Sequence, residues 1–246
     1  MKKYILTLIL ALASLGLYAQ TNRNKTIINA ALHGWEYEIK AGVNLGGTAP
    51  LPFPEEIRSI DGYNPTLSIT IEGNMTKWLD TKKKWGIITG LRLENKGMRT
   101  KATVKNYNME IIGYDGNRLK GNWTGGVRTK VQNSYITIPV LAAYKLSPRT
   151  TLKLGPYFSY LMDGDFSGHV YEGYLRETNP TGDKINFTNG AIATYDFSGD
   201  LRKFQWGVQA GVDWKAFKHL KVHADLNWGL NDIFNKDFKT VTFDTV

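Results

Sequence analysis

Residues 35–45 read WEYEIKAGVNL, and the alternation in this stretch decides the fold class. The apolar residues take every second position: Trp35, Tyr37, Ile39, Ala41, Val43 and Leu45. The charged residues lie between them: Glu36, Glu38 and Lys40. Successive side chains of a β-strand point to opposite faces, so this strand has one apolar and one charged face. Such a strand suits a wall between lipid and a wet lumen.

Six further stretches repeat this pattern: residues 66–75, 85–94, 135–145, 151–161, 204–215 and 220–231. Each has about the length of a tilted transmembrane strand, roughly 9–11 residues. The connections alternate between short ones (76–84, 147–149 and 216–219) and long ones (46–65, 95–134 and 162–203). Outer-membrane barrels have short periplasmic turns and long external loops. The sequence therefore predicts an all-β, antiparallel, up-and-down transmembrane barrel whose first strand starts on the periplasmic side.

The N-terminus predicts export. Lys2 and Lys3 precede an apolar run at residues 4–17, and Ala19 ends a small-residue cleavage site. This is the pattern of a signal peptide, and the run is shorter than the roughly 20 residues of a membrane-spanning helix. We expect a signal peptide at 1–19, a lead-in at 20–34 and the barrel domain at 35–246. The expected location is the outer membrane.

The strand count predicts an incomplete end. Single-chain bacterial barrels have an even number of strands, and eight is the smallest common type. Seven full strands are visible here, and residues 238–246 alternate only weakly. We therefore expect an eight-stranded type of barrel whose last strand is missing or partial.

The polar faces of the strands carry charges of both signs. The residues that we expect to form a charge network in the lumen are Glu36, Glu38, Lys40, Glu72, Arg92, Glu94, Lys153, Asp213, Lys215, Lys221, His223 and Asp225. The interior of a small barrel is only wide enough for side chains to fill, and an isolated buried ion is costly. Ion pairs that plug the lumen are therefore expected.

No motif predicts catalysis, and we expect a protein that is not an enzyme. GxSxG, P-loop and zinc-protease patterns are not found in the sequence. His219 and His223 have the spacing of a helical metal pair, but on a strand that spacing exceeds ten ångströms. We expect neither a metal nor another cofactor. The chain contains no cysteine, which excludes disulfides and thiol chemistry.

The net charge of +9 bears on partners. Export argues against nucleic acid, whereas outer-membrane lipid and lipopolysaccharide phosphates would attract a basic protein. We expect a monomeric barrel that contacts these lipids, and envelope or secretion proteins are further candidate partners.

Five segments resemble the PorT-like outer-membrane barrel family of the Bacteroidota. They are the MKK signal ending in AQ, YEIKAGVNLGG (37–47), SYITIPVLAAYKL (134–146), KFQWGVQAGVDWK (203–215) and NWGLNDI (227–233). The resemblance implies an eight-stranded barrel, and the best-known relatives support type IX protein secretion. The family closes with an aromatic-rich eighth strand, whereas this sequence ends in Phe243, Asp244, Thr245 and Val246.

Three functional hypotheses follow. The first is a non-enzymatic outer-membrane barrel with a plugged lumen and a structural or partner-binding role. The second is an accessory component of a type IX-like secretion pathway. The third is a soluble lipocalin-like barrel that binds a ligand, which would require an apolar interior.

Overall fold

The computed structural model describes residues 35–48, 55–113, 116–177, 179–238 and 240. These residues form the strands β1 (Trp35–Asn44), β2 (Ile57–Thr66), β3 (Ser68–Trp78), β4 (Trp85–Ile112), β5 (Arg118–Lys145), β6 (Thr150–Glu177), β7 (Lys184–Asp196), β8 (Phe204–Lys215) and β9 (Lys221–Gly229). A single 3-10 turn at Ser198–Asp200 follows β7. The predicted signal peptide and lead-in lie outside the described residues. Among the described residues, no helix is long and apolar enough to cross a membrane.

All nine strands belong to one antiparallel sheet. Its main path has the order β1-β3-β4-β5-β6-β8-β9, while β2 pairs with β4, and β7 pairs with both β4 and β6. The sheet curls, because side chains of its first strand reach those of its last two. The Nζ atom of Lys221 on β9 lies 2.8 Å from Oε2 of Glu38 on β1. The prediction of an all-β, antiparallel barrel is confirmed.

The seven strands of the main path carry the predicted two-faced pattern. On β8, Val208 points outward and is 39% exposed, whereas the next residue, Gln209, points inward and is fully buried. Aromatic side chains are exposed near both ends of this wall, with Trp85 and Trp214 on the periplasmic side and Tyr160 on the outer side. Aromatic residues concentrate at the two interfaces of membrane barrels in this way.

The three long connections were predicted as loops, and that prediction is wrong for most of their length. β4, β5 and β6 are each 28 residues long and continue beyond the predicted membrane segments. Together with β2 and β7 they form a structure that we call the external extension. A single bridge, Ile112 to Thr194, joins β7 back to β4. The extension has its own buried core: Val104, Met109, Ile111, Trp123, Val170, Leu175, Phe187, Ala193 and Tyr195.

Among the described residues, no ladder joins the outer edge of β1 to the outer edge of β9. In the described part of the chain, β1 pairs only with β3, and β9 pairs only with β8. The partial strand that we expected at 239–246 lies outside the described residues, except for Thr240. The Thr240 carbonyl accepts a hydrogen bond from the backbone N–H of Glu110 at 3.3 Å, near the tip of β4. The chain after β9 therefore continues outward along the external extension.

Candidate functional site

Arg92 lies at the centre of the lumen and links opposite walls of the barrel. Arg92 lies on β4 and is 3% exposed. Its guanidinium contacts the carboxylate of Glu72 on β3. Its Nη2 donates a hydrogen bond of 2.8 Å to Oε1 of Gln209 on β8. Glu94 lies 3.8 Å from Arg92 Nη1 and accepts a hydrogen bond of 2.8 Å from the Thr137 hydroxyl. Buried charges require such partners, because an unpaired ion in this position would be costly.

A second cluster is built around Lys153 on β6. The side chain of this lysine is completely buried, and its Nζ lies 2.7 Å from Asp213 Oδ1 and 2.9 Å from Asp225 Oδ1. Lys40 joins the two clusters, since its Nζ lies 3.5 Å from Asp213 and 3.9 Å from Glu72. The charged groups thus form one connected network with members on six strands: β1, β3, β4, β6, β8 and β9.

The remaining predicted network residues either form separate ion pairs nearer the periplasmic end or make no ion pair with the network. Glu36 pairs with Lys83 of the β3–β4 turn at 3.2 Å, and Glu38 pairs with Lys221 at 2.8 Å. Lys215 is exposed and is not among these ion pairs. The imidazole of His223 packs against Gly42 on β1. A Cβ atom placed on Gly42 would lie only 3.2 Å from His223 Nε2.

Several lumen residues were missed by the sequence analysis. Lys96 pairs with Glu94 at 3.2 Å, and Thr137 and Ser159, both fully buried, hydrogen-bond to each other at 2.7 Å. Gln209 and Asn74 also contact charged members of the network. Lys96 could have been found from its parity on β4, but the predicted strand stopped at residue 94. The neutral residues carry no charge signal that distinguishes them from other inward polar groups.

Apolar clusters lie on both sides of the network. On the periplasmic side, Ile88, Leu141 and Ala143 pack together. On the outer side, Tyr135, Leu161 and Leu201 form a second buried cluster. Leu201 belongs to the segment between β7 and β8 and forms a bridge with Phe234. Buried apolar residues therefore lie on both the periplasmic and the outer side of the polar network.

The external extension is held by its aromatic core. Trp123 on β5 packs edge-on against Phe187 on β7, with ring centroids 5.3 Å apart. The Tyr195 hydroxyl hydrogen-bonds to the Thr129 hydroxyl at 2.6 Å and donates to the Arg128 carbonyl at 3.1 Å. Burial raises the pKa of Tyr195, so this hydroxyl keeps its proton. The residues after β9 also join this core, because Phe238 packs against Phe197 at 5.3 Å.

The outward face of the extension carries cations in directly opposed positions. On β4 and β5, Arg99 is the register partner of Lys130, and Lys101 is the partner of Arg128. We call these four residues the paired cations. Like charges directly opposite on a sheet are destabilising. Lys130 has a carboxylate partner, since its Nζ lies 2.9 Å from Asp165.

The described residues contain no group of three or more His, Cys, Asp or Glu side chains placed to hold a metal ion.

A curled antiparallel sheet with apolar side chains outside and a charged interior defines a membrane β-barrel. In agreement with this architecture, residues 18–235 match the model of the family described as outer membrane protein beta-barrel domain. The match covers most of the chain, so the chain belongs to this family and is an outer-membrane protein. A search of curated proteins and of solved structures found no match. The outer-membrane location and the charged interior exclude the soluble lipocalin-like hypothesis.

Proposed function

We propose that this protein is a non-enzymatic outer-membrane barrel with a closed lumen, and that its role is to hold the external extension above the membrane for contact with partners. The observation that carries this proposal is the buried ion network between two apolar clusters. Arg92 on β4 reaches Gln209 on β8 at 2.8 Å, so side chains from distant walls meet inside the barrel. In a barrel this small, side chains in contact across the interior leave little room for a water-filled path.

A conductance measurement tests the closed lumen. The full chain, refolded and checked by its heat-dependent mobility on gels, would be inserted into a planar bilayer beside a porin as positive control. We expect no steady large channel from this protein under conditions in which the porin conducts. A stable pore of porin size would refute the closed lumen.

We also propose that the paired cations contact the acidic saccharide of lipopolysaccharide in the same membrane. They lie on the outward face of β4 and β5, directly above the lipid-facing register pair Leu93 and Ile136. Arg99 is six positions beyond Leu93, which is about 20 Å along a strand, or about 15 Å along the membrane normal at the usual tilt. This height lies beyond phospholipid headgroups, which extend only about 5–7 Å from the hydrocarbon core.

Ligand-dependent stability tests this contact. A molecule that binds only the folded protein raises its unfolding midpoint. We expect lipopolysaccharide, added to phosphatidylcholine bilayers, to raise the urea midpoint of the wild-type protein. The double variant Lys101→Gln/Arg128→Gln should lose this increase, whereas the control Arg118→Gln, which removes one exposed cation at the far end of β5, should retain it. An unchanged response of the double variant would contradict the proposal.

A role in protein secretion is a second hypothesis, which rests on the resemblance to PorT-like barrels at residues 37–47, 134–146 and 203–215. Under this hypothesis the external extension or the periplasmic turns would contact secretion proteins. Deletion of the gene should then reduce export of secreted proteins, and cross-linking in intact envelopes should capture secretion components. Normal secretion after deletion would refute this hypothesis and leave the closed-barrel proposal standing.

A further inference from the structure

The outer surface of the external extension contains a basic pocket where three neighbouring strand pairings are irregular. The β4–β5 register shifts between Val104 and Tyr107, and the β5–β6 register shifts between Gly125 and Gly126. A third irregularity, in the β6–β7 pairing, lies between Tyr171 and Gly173. β-Bulges of this kind redirect side chains and are common beside functional sites.

The backbone at this level is also strained. Asn106 has a φ of 60° and Glu172 a φ of 46°, in the left-handed region that side-chain-bearing residues seldom adopt. The Asn106 backbone N–H donates a hydrogen bond of 3.0 Å to the Thr124 hydroxyl, which holds the β4 irregularity against β5. Such strain persists where surrounding structure fixes it, and it is concentrated at functional sites.

The irregularities surround a cavity of about 400 Å³. Its cations come from three strands: Arg58 on β2, Lys105 on β4 and Arg176 on β6. Asn106, Thr124 and Tyr174 supply neutral polar groups, and apart from Pro180 every described lining residue has a polar side chain. This volume lies within the usual range for small-molecule sites, roughly 300–1,000 Å³.

Among the described residues, the three pocket cations have no carboxylate partner. In the described part of the extension, the ion pairs join other residues, such as Arg118 with Glu110 and Lys130 with Asp165, and none involves the three pocket cations. Arg176 donates one hydrogen bond, of 2.9 Å, to the Gly182 carbonyl. Cations that converge without an acid create a positive potential that favours an anion.

The aromatic ring of Tyr174 lies beside two cations at the pocket. Arg176 lies 5.6 Å and Lys184 lies 4.4 Å from the centroid of its ring. Arg176 and Lys184 are also direct register partners on β6 and β7, an arrangement that is unfavourable for two like charges. A hydrogen bond with the Thr124 hydroxyl, together with these cations, lowers the pKa of Tyr174. A bound anion would relieve the repulsion.

We propose that this pocket binds an acidic saccharide, through carboxylate or phosphate groups held by the two arginines and Lys105. Guanidinium groups bind both anions in a bidentate manner. The amide and hydroxyl groups of Asn106 and Thr124 suit the hydroxyls of a sugar. Lys105 is twelve positions beyond the lipid-facing Leu93 on β4, which is about 40 Å along the strand, or about 30 Å above Leu93 along the membrane normal at the usual tilt. Phospholipid headgroups do not reach this height.

Titration calorimetry with the full chain in neutral detergent micelles tests the proposal. The probes are trigalacturonate, which carries three carboxylates, and galactotriose, its neutral counterpart. We expect saturable binding of trigalacturonate that weakens as salt is added, and at least tenfold weaker binding of galactotriose. Equal affinities, or no binding of trigalacturonate at millimolar concentration, would overturn the proposal.

Matched variants locate the binding. Arg58→Gln/Arg176→Gln should raise the Kd for trigalacturonate about tenfold or more, as expected for lost hydrogen bonds to a charged group. Arg118→Gln removes one exposed cation of the same extension and should leave the Kd unchanged. All variants would first be checked for heat-dependent gel mobility, and Arg58→Lys/Arg176→Lys should restore part of the affinity if the double Gln variant folds poorly. Equal losses in the pocket variant and in Arg118→Gln would refute a specific site.

Two further arms separate the possible sources of the ligand. Lipopolysaccharide in nanodiscs should compete with trigalacturonate if the saccharide rises from the same membrane, and should not compete if the natural ligand is soluble. Nanodiscs with phosphatidylglycerol should not compete, and competition by this lipid would overturn the argument from height. The variant Lys101→Gln/Arg128→Gln should still bind trigalacturonate, so failure of the lipid contact proposed above is distinguishable from failure of the pocket.

Discussion

Replacing Lys153 by methionine tests whether the lumen network stabilises the barrel. Methionine keeps most of the side-chain volume but removes the charge that Asp213 and Asp225 share at 2.7 and 2.9 Å. At an effective dielectric constant of about 20, each of these attractions is about 6 kcal/mol before desolvation is subtracted. Removal of one partner from a buried ion pair costs about 3–5 kcal/mol. Because Lys40 remains 3.5 Å from Asp213, we expect Lys153→Met to lower the free energy of unfolding by about 3 kcal/mol, the lower end of this range.

The matched control is Lys221→Met. Lys221 and Glu38 are also 2.8 Å apart, but the lysine side chain is 38% exposed. A solvent-exposed ion pair is worth about 0–1 kcal/mol, so this variant should lose less than about 1 kcal/mol. Urea unfolding of both variants in lipid bilayers, followed by tryptophan fluorescence and by gel mobility, would give the two free energies.

A double variant separates the loss of charge balance from the loss of packing. Lys153→Met/Asp225→Asn removes one charge of each sign and leaves Asp213 beside Lys40. It should therefore be more stable than Lys153→Met alone, by about 1 kcal/mol or more. Equally small losses of stability in Lys153→Met and Lys221→Met, or a double variant no more stable than Lys153→Met, would refute a stabilising role of the network.

Three other predictions concern different parts of the chain. Leu226→Lys should cost about 2–4 kcal/mol because Leu226 faces lipid in mid-strand, whereas Asn227→Lys, one residue further and facing the polar lumen, should cost less; equal losses in lipid refolding would contradict the assigned faces. Trp123→Ala should cost the extension about 3–5 kcal/mol and expose it to protease while the barrel keeps its gel shift; unchanged protease resistance would count against an independent core. Hydrogen bonds from the backbone N–H groups of Trp85 and Lys84 lower the pKa of Asp80 from its ordinary value of 3.8. Its carboxylate should therefore stabilise the turn above pH 3.8, and this stabilisation should be lost as the pH falls through the lowered pKa. A titration midpoint of Asp80 at or above pH 3.8, measured by NMR, would contradict the prediction.

The membrane strands could be predicted because their pattern is local. Period-two alternation of Phe204, Trp206 and Val208 with Gln205 and Gly207 gives the strand and its two faces without knowledge of any neighbour. The same logic placed Lys40 and Asp213 inside. The same parity also assigned Lys215 and His223 to the network, where they make none of its ion pairs, because inward parity says nothing about how near the rim of the barrel a residue lies.

The external extension was missed because its polarity is reversed. Within the membrane segment of β4, Leu91 and Leu93 point outward and Arg92 points inward. Beyond it, Met98 is buried and Arg99 is exposed. The parity of the apolar positions therefore changes near Gly97, since lipid outside has been replaced by water outside. A strand that passes from lipid into water looks like a broken pattern, and the irregularities at the basic pocket break it again.

The partners within the network could not be predicted from sequence. Arg92 and Gln209 are 117 positions apart, and their contact depends on the tilt and stagger of strands that are not neighbours. Parity shows that Gln209 faces the lumen but does not show that it accepts a hydrogen bond from Arg92. An inward neutral residue can therefore be as constrained as an inward charge.

The barrel and the external extension are built on the same three strands, β4, β5 and β6. β4, β5 and β6 each extend from the ion network to the basic pocket, and the two ladders between them continue across both parts with local register shifts. The contacts that Arg92, Glu94 and Lys153 make in the lumen therefore also fix the roots of the strands that carry Lys105, Thr124 and Arg176 outside. A site held on rigid elements keeps its geometry better than one held on loops. We infer that the charges inside the barrel support the proposed binding outside it, because they fix the positions of the strands that carry the pocket cations.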